Sequence, residues 1–244
     1  MKTGRNALLG LLAFAFTPLA SADPSLILTD GTAANTVTLS SPTGSILSSG
    51  AVGGWTFNVT SALASPPNTA LAGPFPHMDV SSLDVYSGSG SSTLYILFTD
   101  DGLTLPAPGF DMTIGGAVNG VGDTLTYSAY YDTGNVLFGR TTPVPGTASG
   151  GASATAHLIN VLGPFGTGAC CTPGHAVGPG PGGSPPKYSL TEMVVLTAKN
   201  GVVSNASFNA ELQATPEPST IILLGSSLLF LGKLFRKRRR TTSA

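Results

Sequence analysis

The stretch Trp55-Thr56-Phe57-Asn58-Val59-Thr60 alternates large apolar side chains with small polar ones. Successive side chains of an extended strand point to opposite faces, so a period of two predicts a strand with one buried and one solvated face. Leu125–Ala129 and Phe208–Leu212 repeat this alternation. Leu94–Phe98 and Met193–Leu196 are instead apolar throughout and too short for typical helices, which predicts central strands.

Other short runs rich in β-formers extend the pattern along the chain, and no amphipathic helix is visible between its two ends. About ten short strands separated by Gly, Pro, Asn and Asp predict an all-β fold, an antiparallel β-sandwich spanning residues 23–214. The further strands are expected at Leu26–Leu28, Thr36–Leu39, Met78–Tyr86, Phe110–Val118, Val136–Arg140 and Ser153–Leu162.

Two stretches rich in proline interrupt this pattern. Residues 65–76 contain four prolines, and proline cannot donate to a sheet ladder, so an irregular crossover is expected there. Residues 163–186 contain eight glycines and six prolines. That composition predicts a long surface loop.

The N-terminal residues have the features of an export signal. Lys2 and Arg5 precede an apolar core, Ala7–Leu19, and Ala20-Ser21-Ala22 supplies the small residues that signal peptidase requires. Residues 1–22 are therefore predicted to be a signal peptide in helical form, with the mature chain beginning at Asp23.

The C-terminal residues 215–244 predict a second membrane signal. Pro216, Glu217 and Pro218 favour an extended, accessible segment, because proline restricts φ and lacks an N–H. Residues 219–235 are predominantly apolar and predict a transmembrane helix of marginal length. The basic residues that follow are expected to stay in the cytoplasm, which places the rest of the chain outside the inner membrane. They are Arg236, Lys237, Arg238, Arg239 and Arg240.

The order Pro-Glu-Pro, one hydrophobic span and an Arg-rich end resembles the PEP-CTERM sorting signal of Gram-negative bacteria. The resemblance implies processing by an exosortase-like membrane protease, transient anchoring in the inner membrane, and delivery to the cell surface or extracellular matrix. Residues 54–60, 78–85, 94–100 and 188–191 also resemble a group of PEP-CTERM ectodomains, a resemblance that implies no activity. The pair Cys170-Cys171 and the Gly/Pro-rich stretch around it depart from that group.

Charge is distributed unevenly between the predicted ectodomain and its ends. Residues 23–215 contain eleven acidic and three basic residues, a net charge of −8. An acidic surface rich in Ser, Thr and Gly disfavours nucleic acid and anionic lipid as partners but is compatible with exopolysaccharide or divalent cations.

Cys170 and Cys171 are the two cysteines of the chain, and they are adjacent. In an oxidising compartment they could form a strained vicinal disulfide, bridge to another copy, or stay as thiols. A zinc site with His175 is a weaker alternative, because the paired spacing of zinc ligands is missing. We therefore predict no metal or other cofactor.

Two acidic motifs could indicate a catalytic or a metal site. Asp132-Thr133-Gly134 matches the triplet of pepsin-like aspartic proteases, but one copy would require a homodimer, and a hairpin turn ending before Asn135 explains the same residues. Asp100-Asp101-Gly102 could contribute ligands to calcium, although a solvated turn is favoured. With no catalytic constellation, the chain is predicted not to be an enzyme.

Three functions follow from these observations. The first is a noncatalytic exported protein with a structural or adhesive role at the surface or in an exopolysaccharide matrix. The second is a carbohydrate- or ice-binding module, since similar tails occur in ice-binding proteins and Thr-bearing strands can order water. The third is a homodimeric aspartic protease that uses Asp132.

Overall fold

The computed structural model describes residues 23–65, 75–87, 93–147, 152–182, 187–199 and 205–215. These residues form twelve strands in two six-stranded sheets, all of whose strand pairs are antiparallel. The predicted all-β sandwich is therefore confirmed, with two more strands than expected. The predicted signal peptide and C-terminal transmembrane helix lie outside the described residues. Within the described ranges, no helix has the length and apolarity needed to cross a membrane.

Sheet A has the order β2-β1-β6-β11-β8-β9. Its strands are β1 (Ser25–Thr29), β2 (Thr36–Ser40), β6 (Thr93–Leu103), β8 (Thr124–Asp132), β9 (Ala156–Phe165) and β11 (Tyr188–Thr197). The two uninterrupted apolar runs of the sequence lie in β6 and β11, adjacent strands at the centre of this sheet, as predicted. A single short 3-10 turn, Ala33–Asn35, connects β1 to β2.

Sheet B has the order β10-β7-β12-β5-β4-β3. Its strands are β3 (Ser45–Val52), β4 (Trp55–Ser65), β5 (His77–Ser87), β7 (Ala107–Val118), β10 (Gly168–Gly182) and β12 (Asn205–Thr215). In β4 the side chains of Trp55, Phe57 and Val59 point into the core, while those of Thr56 and Asn58 are exposed. The predicted alternation at residues 55–60 is therefore confirmed.

The core lies between the two sheets and is continuous from end to end. Sheet A contributes apolar side chains such as Leu28, Phe98 and Leu196, and sheet B contributes Phe110 and Phe208, all of them buried. Consecutive strands connect the sheets at both sides, because β2 and β3 are edge strands on one side and β9 and β10 on the other. The sheets are thereby held face to face along both edges.

The prediction of a loop over residues 163–186 is wrong for most of that stretch. Residues 168–182 form β10, which pairs with β7 through register shifts at Cys170/Gly174 and Pro179/Gly182. β10 is an edge strand, and an edge tolerates proline because one side of its backbone has no partner strand. Its glycines allow close packing: a Cβ added at Gly178 would lie 2.2 Å from the carbonyl oxygen of Ile159 in β9.

This close packing gives a stability prediction. Gly178→Ala is expected to lower the free energy of unfolding by about 1–3 kcal/mol, because the added methyl group forces β10 away from β9. Gly166→Ala, in the turn between the same strands, is the matched control, since no atom lies within 4 Å of its added Cβ. Urea unfolding of both variants measures the difference. Equal stability of the two would mean that residues 168–182 do not pack as a strand.

The predicted strand Val136–Arg140 is also wrong. Asn135 and Phe138 both have φ +56°, which extended strands do not allow, and the amide of Gly139 donates to the carbonyl oxygen of Val136 at 2.9 Å. A turn does follow β8, with Asn135 N donating to Asp132 O at 3.1 Å, but the predicted hairpin is wrong because the strand that pairs with β8 is β9. β3 was not predicted at all, because its small polar residues lack an alternating pattern.

Candidate functional site

The outer face of sheet A is covered by the chain itself. The 133–147 segment follows β8 and buries Phe138 and Val144 in a second apolar cluster with residues of that face. The other buried members of the cluster are Ile27, Leu97, Tyr130 and Met193. This packing removes the centre of the face from contact with a ligand.

Polar contacts hold the start of the 133–147 segment in place. Asp132 is fully buried, and its Oδ1 accepts hydrogen bonds from Gly134 N at 2.7 Å and Thr155 Oγ1 at 2.6 Å. Phe138 N donates to Thr99 Oγ1 at 3.2 Å. Asp132, the residue on which the aspartic protease alternative depends, thus organises a turn under the surface.

Arg140 stabilises the middle and the end of the 133–147 segment. Its guanidinium is buried and donates to Phe138 O at 2.8 Å and to Thr147 Oγ1 at 3.0 Å. Burial lowers the pKa of this guanidinium from its ordinary value, while Tyr130 acts in the opposite direction. Arg140 therefore supports a fold contact and does not reach the surface.

The outer face of sheet B, called here the sheet-B face, has a different character. Cross-strand register aligns residues of β10, β7, β12 and β5 in neighbouring rows, with strands about 4.8 Å apart. Most of these residues are polar and at least partly exposed. The sheet-B face comprises His175, Val177, Asp111, Thr113, Glu211, Gln213, Asn209, Ser207, His77, Asp79, Ser81, Asp84, Tyr86, Thr56 and Asn58.

Two imidazole–carboxylate contacts cross the strands of this face. His77 Nε2 lies 2.8 Å from Glu211 Oε1, and His175 Nε2 lies 2.7 Å from Asp111 Oδ1. Both are close charge contacts by distance. Both ring nitrogens of His77 are buried, and the contact of Nε2 with Glu211 lacks hydrogen-bond geometry. The side chains of Glu211 and Asp111 are 44% and 40% exposed, although Oδ1 of Asp111 itself is buried.

Asp79 lies beside Glu211 as its cross-strand partner. Burial raises the pKa of the Asp79 carboxyl, a hydrogen bond from Ser81 opposes the rise, and the charge of Glu211 adds to it. The charge of His77 acts in the opposite direction to that of Glu211, so two carboxyl groups and an imidazole interact electrostatically at this point of the face.

The three basic residues among positions 23–215 lie away from the sheet-B face. Arg140 is buried under sheet A's cover, Lys187 lies close enough to Asp101 to act on its charge, and the side chain of Lys199 lies beside Gly122. The face consequently carries four acidic side chains, Asp79, Asp84, Asp111 and Glu211, and two imidazoles, His77 and His175.

Two further carboxyl groups point into the core between the sheets. Tyr127 Oη donates to Glu192 Oε1 at 2.5 Å and also lies 3.1 Å from Glu211 O, connecting the sheets. Burial raises the pKa of Glu192 well above its ordinary value, against the effect of the Tyr127 hydrogen bond. Burial and the neighbouring Asp101 raise the pKa of Asp100 to about 8.

The predicted solvated turn at 100–102 is wrong. Asp100 lies within β6, is 1% exposed, and has no hydrogen-bond partner on either carboxyl oxygen. The strand continues through Gly102 because this residue adopts φ +69° at a register shift against β11.

The structure describes only some of the residues singled out in the sequence. Ala20, Ala22, Pro216–Pro218 and the basic cluster 236–240 lie outside the described residues, while Asp23 precedes β1. The backbone of Cys170 pairs with Gly116, but the side chains of both cysteines fall outside the description. Among the described residues, no three His, Cys, Asp or Glu side chains are grouped to hold a metal ion.

No family model and no curated protein matches the chain. Among solved structures, TmCBM61 in complex with β-1,4-galactotriose is 11% identical with a TM-score of 0.29, over 70% of this chain and 88% of that one. A carbohydrate-binding module of the β-sandwich superfamily is 14% identical with a TM-score of 0.30, over 71% and 64%. An infectious bursal disease virus structure is 10% identical with a TM-score of 0.36, over 89% of this chain and 54% of that one. Similarity at this level does not bear on ligand or activity.

Sequence reasoning did not find the sheet-B face. Its residues come from five separate strands, and their pairing depends on the register of each strand. A signal was nevertheless present: His77, Asp79 and Ser81 alternate with buried residues, as do Asn209, Glu211 and Gln213. Outward strand positions occupied by charged and amide side chains, and not by Ser and Thr alone, indicate a face of this kind.

Proposed function

We propose that this chain is an exported, noncatalytic protein of the cell surface or extracellular matrix that binds polysaccharide through the sheet-B face. One observation carries the proposal: the outer face of sheet A is covered by the 133–147 segment, whereas that of sheet B is open and polar. A broad polar face is suited to a polymer that lies along it. The function does not require a cofactor.

The chemistry of the face supports a hydroxyl-rich ligand. Carboxylates accept hydrogen bonds from sugar hydroxyls, while the amides of Gln213 and Asn58 can both donate and accept. Tyr86 is 50% exposed and offers an aromatic surface against which a sugar ring can stack. The acidic balance of residues 23–215 makes anionic polymers, nucleic acid included, poor ligands.

Binding is testable with the exopolysaccharide of the producing cell. The Tyr86→Ala variant is expected to be retained about three- to tenfold less strongly than wild type in affinity electrophoresis, since it loses the stacking surface. Leu47→Ala is the control, because Leu47 is 69% exposed but lies on edge strand β3 outside the face. Equal retention of all three proteins would contradict binding through Tyr86, and absence of retention would contradict polysaccharide binding.

The two ends of the chain supply the export part of the proposal. Residues 1–22 would direct secretion and be removed by signal peptidase. The Pro-Glu-Pro motif would bring the membrane-anchored intermediate to an exosortase-like protease, which releases or transfers the ectodomain. The motif directly follows β12, the last strand of the ectodomain, so processing there would leave both sheets complete.

Sorting has its own test. Replacing Pro216, Glu217 and Pro218 by alanine is expected to leave an uncut, inner-membrane protein, because the recognition element is lost while residues 219–235 are unchanged. Intact mass and cell fractionation of the variant and wild type measure this. A variant with the mass and location of wild type would rule out a role for the motif.

A further inference from the structure

We infer that two copies of this chain associate weakly through β3, which pairs antiparallel with its own copy at the free edge of sheet B. Strand β3 has one neighbour in the sheet, β4, so one side of its backbone has no partner strand among the described residues. Unpaired strand edges are templates for the addition of another strand. This edge is separate from the sheet-B face, so self-association can be measured whether or not polysaccharide binds.

The other three sheet edges are protected against such pairing. Strand β2 has five residues, and Thr36 Oγ1 at its start donates to Gly146 O at 3.2 Å. Strand β10 contains three prolines, and β9 lies against it, with Asn160 Nδ2 donating to Val177 O at 3.1 Å. Short strands, prolines and covered edges all prevent association between sheets. Strand β3 differs, since its eight residues contain neither a proline nor a charged side chain.

The edge also belongs to a part of the chain that carries no charge. Residues 31–76 contain no Asp, Glu, Lys, Arg or His, whereas residues 23–215 as a whole contain eleven acidic and three basic residues. The described part of residues 31–76 includes β2, β3 and β4, which form one side of the sandwich. Two copies of an acidic domain repel each other least where such charge-free sides meet. A second copy of the chain is therefore the occupant that fits this edge.

Strand register defines how the two copies pair. A two-residue turn joins β3 to β4, so Val52 and Trp55 are the hydrogen-bonded pair that closes the hairpin. Because such pairs alternate along antiparallel strands, the backbone N–H and C=O groups of Ser49 and Ala51 point away from β4. The register shift of β3 precedes these residues. When Ser49 of each copy pairs with Ala51 of the other, both residues exchange hydrogen bonds across a two-fold axis, and Gly50 lies opposite its own copy.

The carboxylates near this edge lie too far apart to oppose the pairing. Asp30 lies beside Gly53, three residues along the chain from Gly50. Asp79 and Asp84 lie on β5, two strands from β3. With about 3.3 Å per residue and about 4.8 Å between strands, each would lie roughly 20 Å or more from its counterpart in the partner. That separation exceeds the Debye length of about 8 Å at physiological ionic strength, so their repulsion is screened.

Sedimentation velocity of the full-length protein tests the pairing. Wild type is expected to shift from monomer to dimer as its concentration is raised. Ser49→Lys with Ala51→Lys, the edge variant, places lysines directly opposite lysines of the partner and is expected to weaken association about tenfold. Ser207→Lys with Gln213→Lys is the matched control, because it adds the same charge at exposed positions of β12, three strands from β3. Circular dichroism checks that both variants are folded.

Amide hydrogen exchange locates the contact on the chain. The N–H groups of Ser49 and Ala51 are expected to become protected as the concentration rises in wild type and in the control, but not in the edge variant. Residues 219–235 are the same in all three proteins, so any association through them cancels in the comparison. Since the added lysines reduce the acidic excess of residues 23–215, a general charge effect would strengthen association in both variants.

Several results would overturn pairing through β3. A wild type that stays monomeric at every concentration excludes a second copy as the occupant. Dimers that persist in the edge variant, or that weaken equally in both variants, place the contact elsewhere. Protection of residues 45–52 that does not depend on concentration means that another segment of the same chain covers the edge. The exchange data on wild type decide between these cases even if a variant folds poorly.

Discussion

Raising the pH from about 4 to 8 is expected to destabilise this protein, and Asp100→Asn is expected to reduce that loss by about 5 kcal/mol. Asp100 is buried without a hydrogen-bond partner, and burial, followed by the charge of Asp101, raises the pKa of its carboxyl from 3.8 to about 8. Between about pH 4 and 8, the unfolded chain therefore releases a proton from Asp100, whereas the folded chain retains it. Stability from this group is complete below pH 3.8 and is lost progressively as the pH rises from there through about 8.

Urea unfolding at several pH values measures the effect in wild type and variant. The difference in stability between the two proteins isolates Asp100. Glu192, whose raised pKa changes stability with pH in the same direction, is present in both. The stability advantage of the variant should increase steadily between about pH 4 and 8. A constant difference across that range would show that Asp100 is ionised in the folded protein and exposed to solvent.

Phe138→Ala is expected to lower the free energy of unfolding by about 3–5 kcal/mol, the cost of removing a buried aromatic side chain. Phe138 is 2% exposed and lies in the apolar cluster that covers sheet A. Its neighbour Leu137 is 39% exposed, so Leu137→Ala is a matched control expected to change stability by less than about 1 kcal/mol.

The same variants report on the cover of sheet A. Loss of Phe138 should make the 133–147 segment sensitive to limited proteolysis, with cleavage mapped by mass spectrometry, while the Leu137 variant stays resistant. If both variants lose the same stability, the segment does not form a second core, and the outer face of sheet A would become a candidate binding surface as well.

Local patterns were sufficient to predict the strands that build the core. The alternation at 55–60 and the apolar runs at 94–98 and 193–196 each express a simple relation between side-chain direction and burial. The errors arose where tertiary context decides the conformation. Residues 168–182 have a loop-like composition but form an edge strand, because proline is tolerated there and glycine permits close approach to β9.

The candidate site depends on tertiary context more than the core strands do. Asp79 and Glu211 are far apart in sequence and become partners only when β5 and β12 pair in one particular register. Asp100 illustrates the opposite case, since it belongs to an Asp-Asp-Gly triplet typical of a surface turn but is buried within β6. Charge and composition favour polysaccharide over nucleic acid as the proposed ligand, but only the paired strands indicate a face on which it would bind.

Carboxyl footprinting with and without host polysaccharide tests the central claim most directly. Carbodiimide labelling of the purified protein, read by peptide mass spectrometry, reports the accessibility of individual acidic side chains. Polysaccharide is expected to protect Asp111 and Glu211, which are 40% and 44% exposed on the sheet-B face, and to leave Asp23 and Asp101 unchanged. Protection of Asp23 and Asp101 instead, or of no carboxylate on the sheet-B face, would contradict binding through that face.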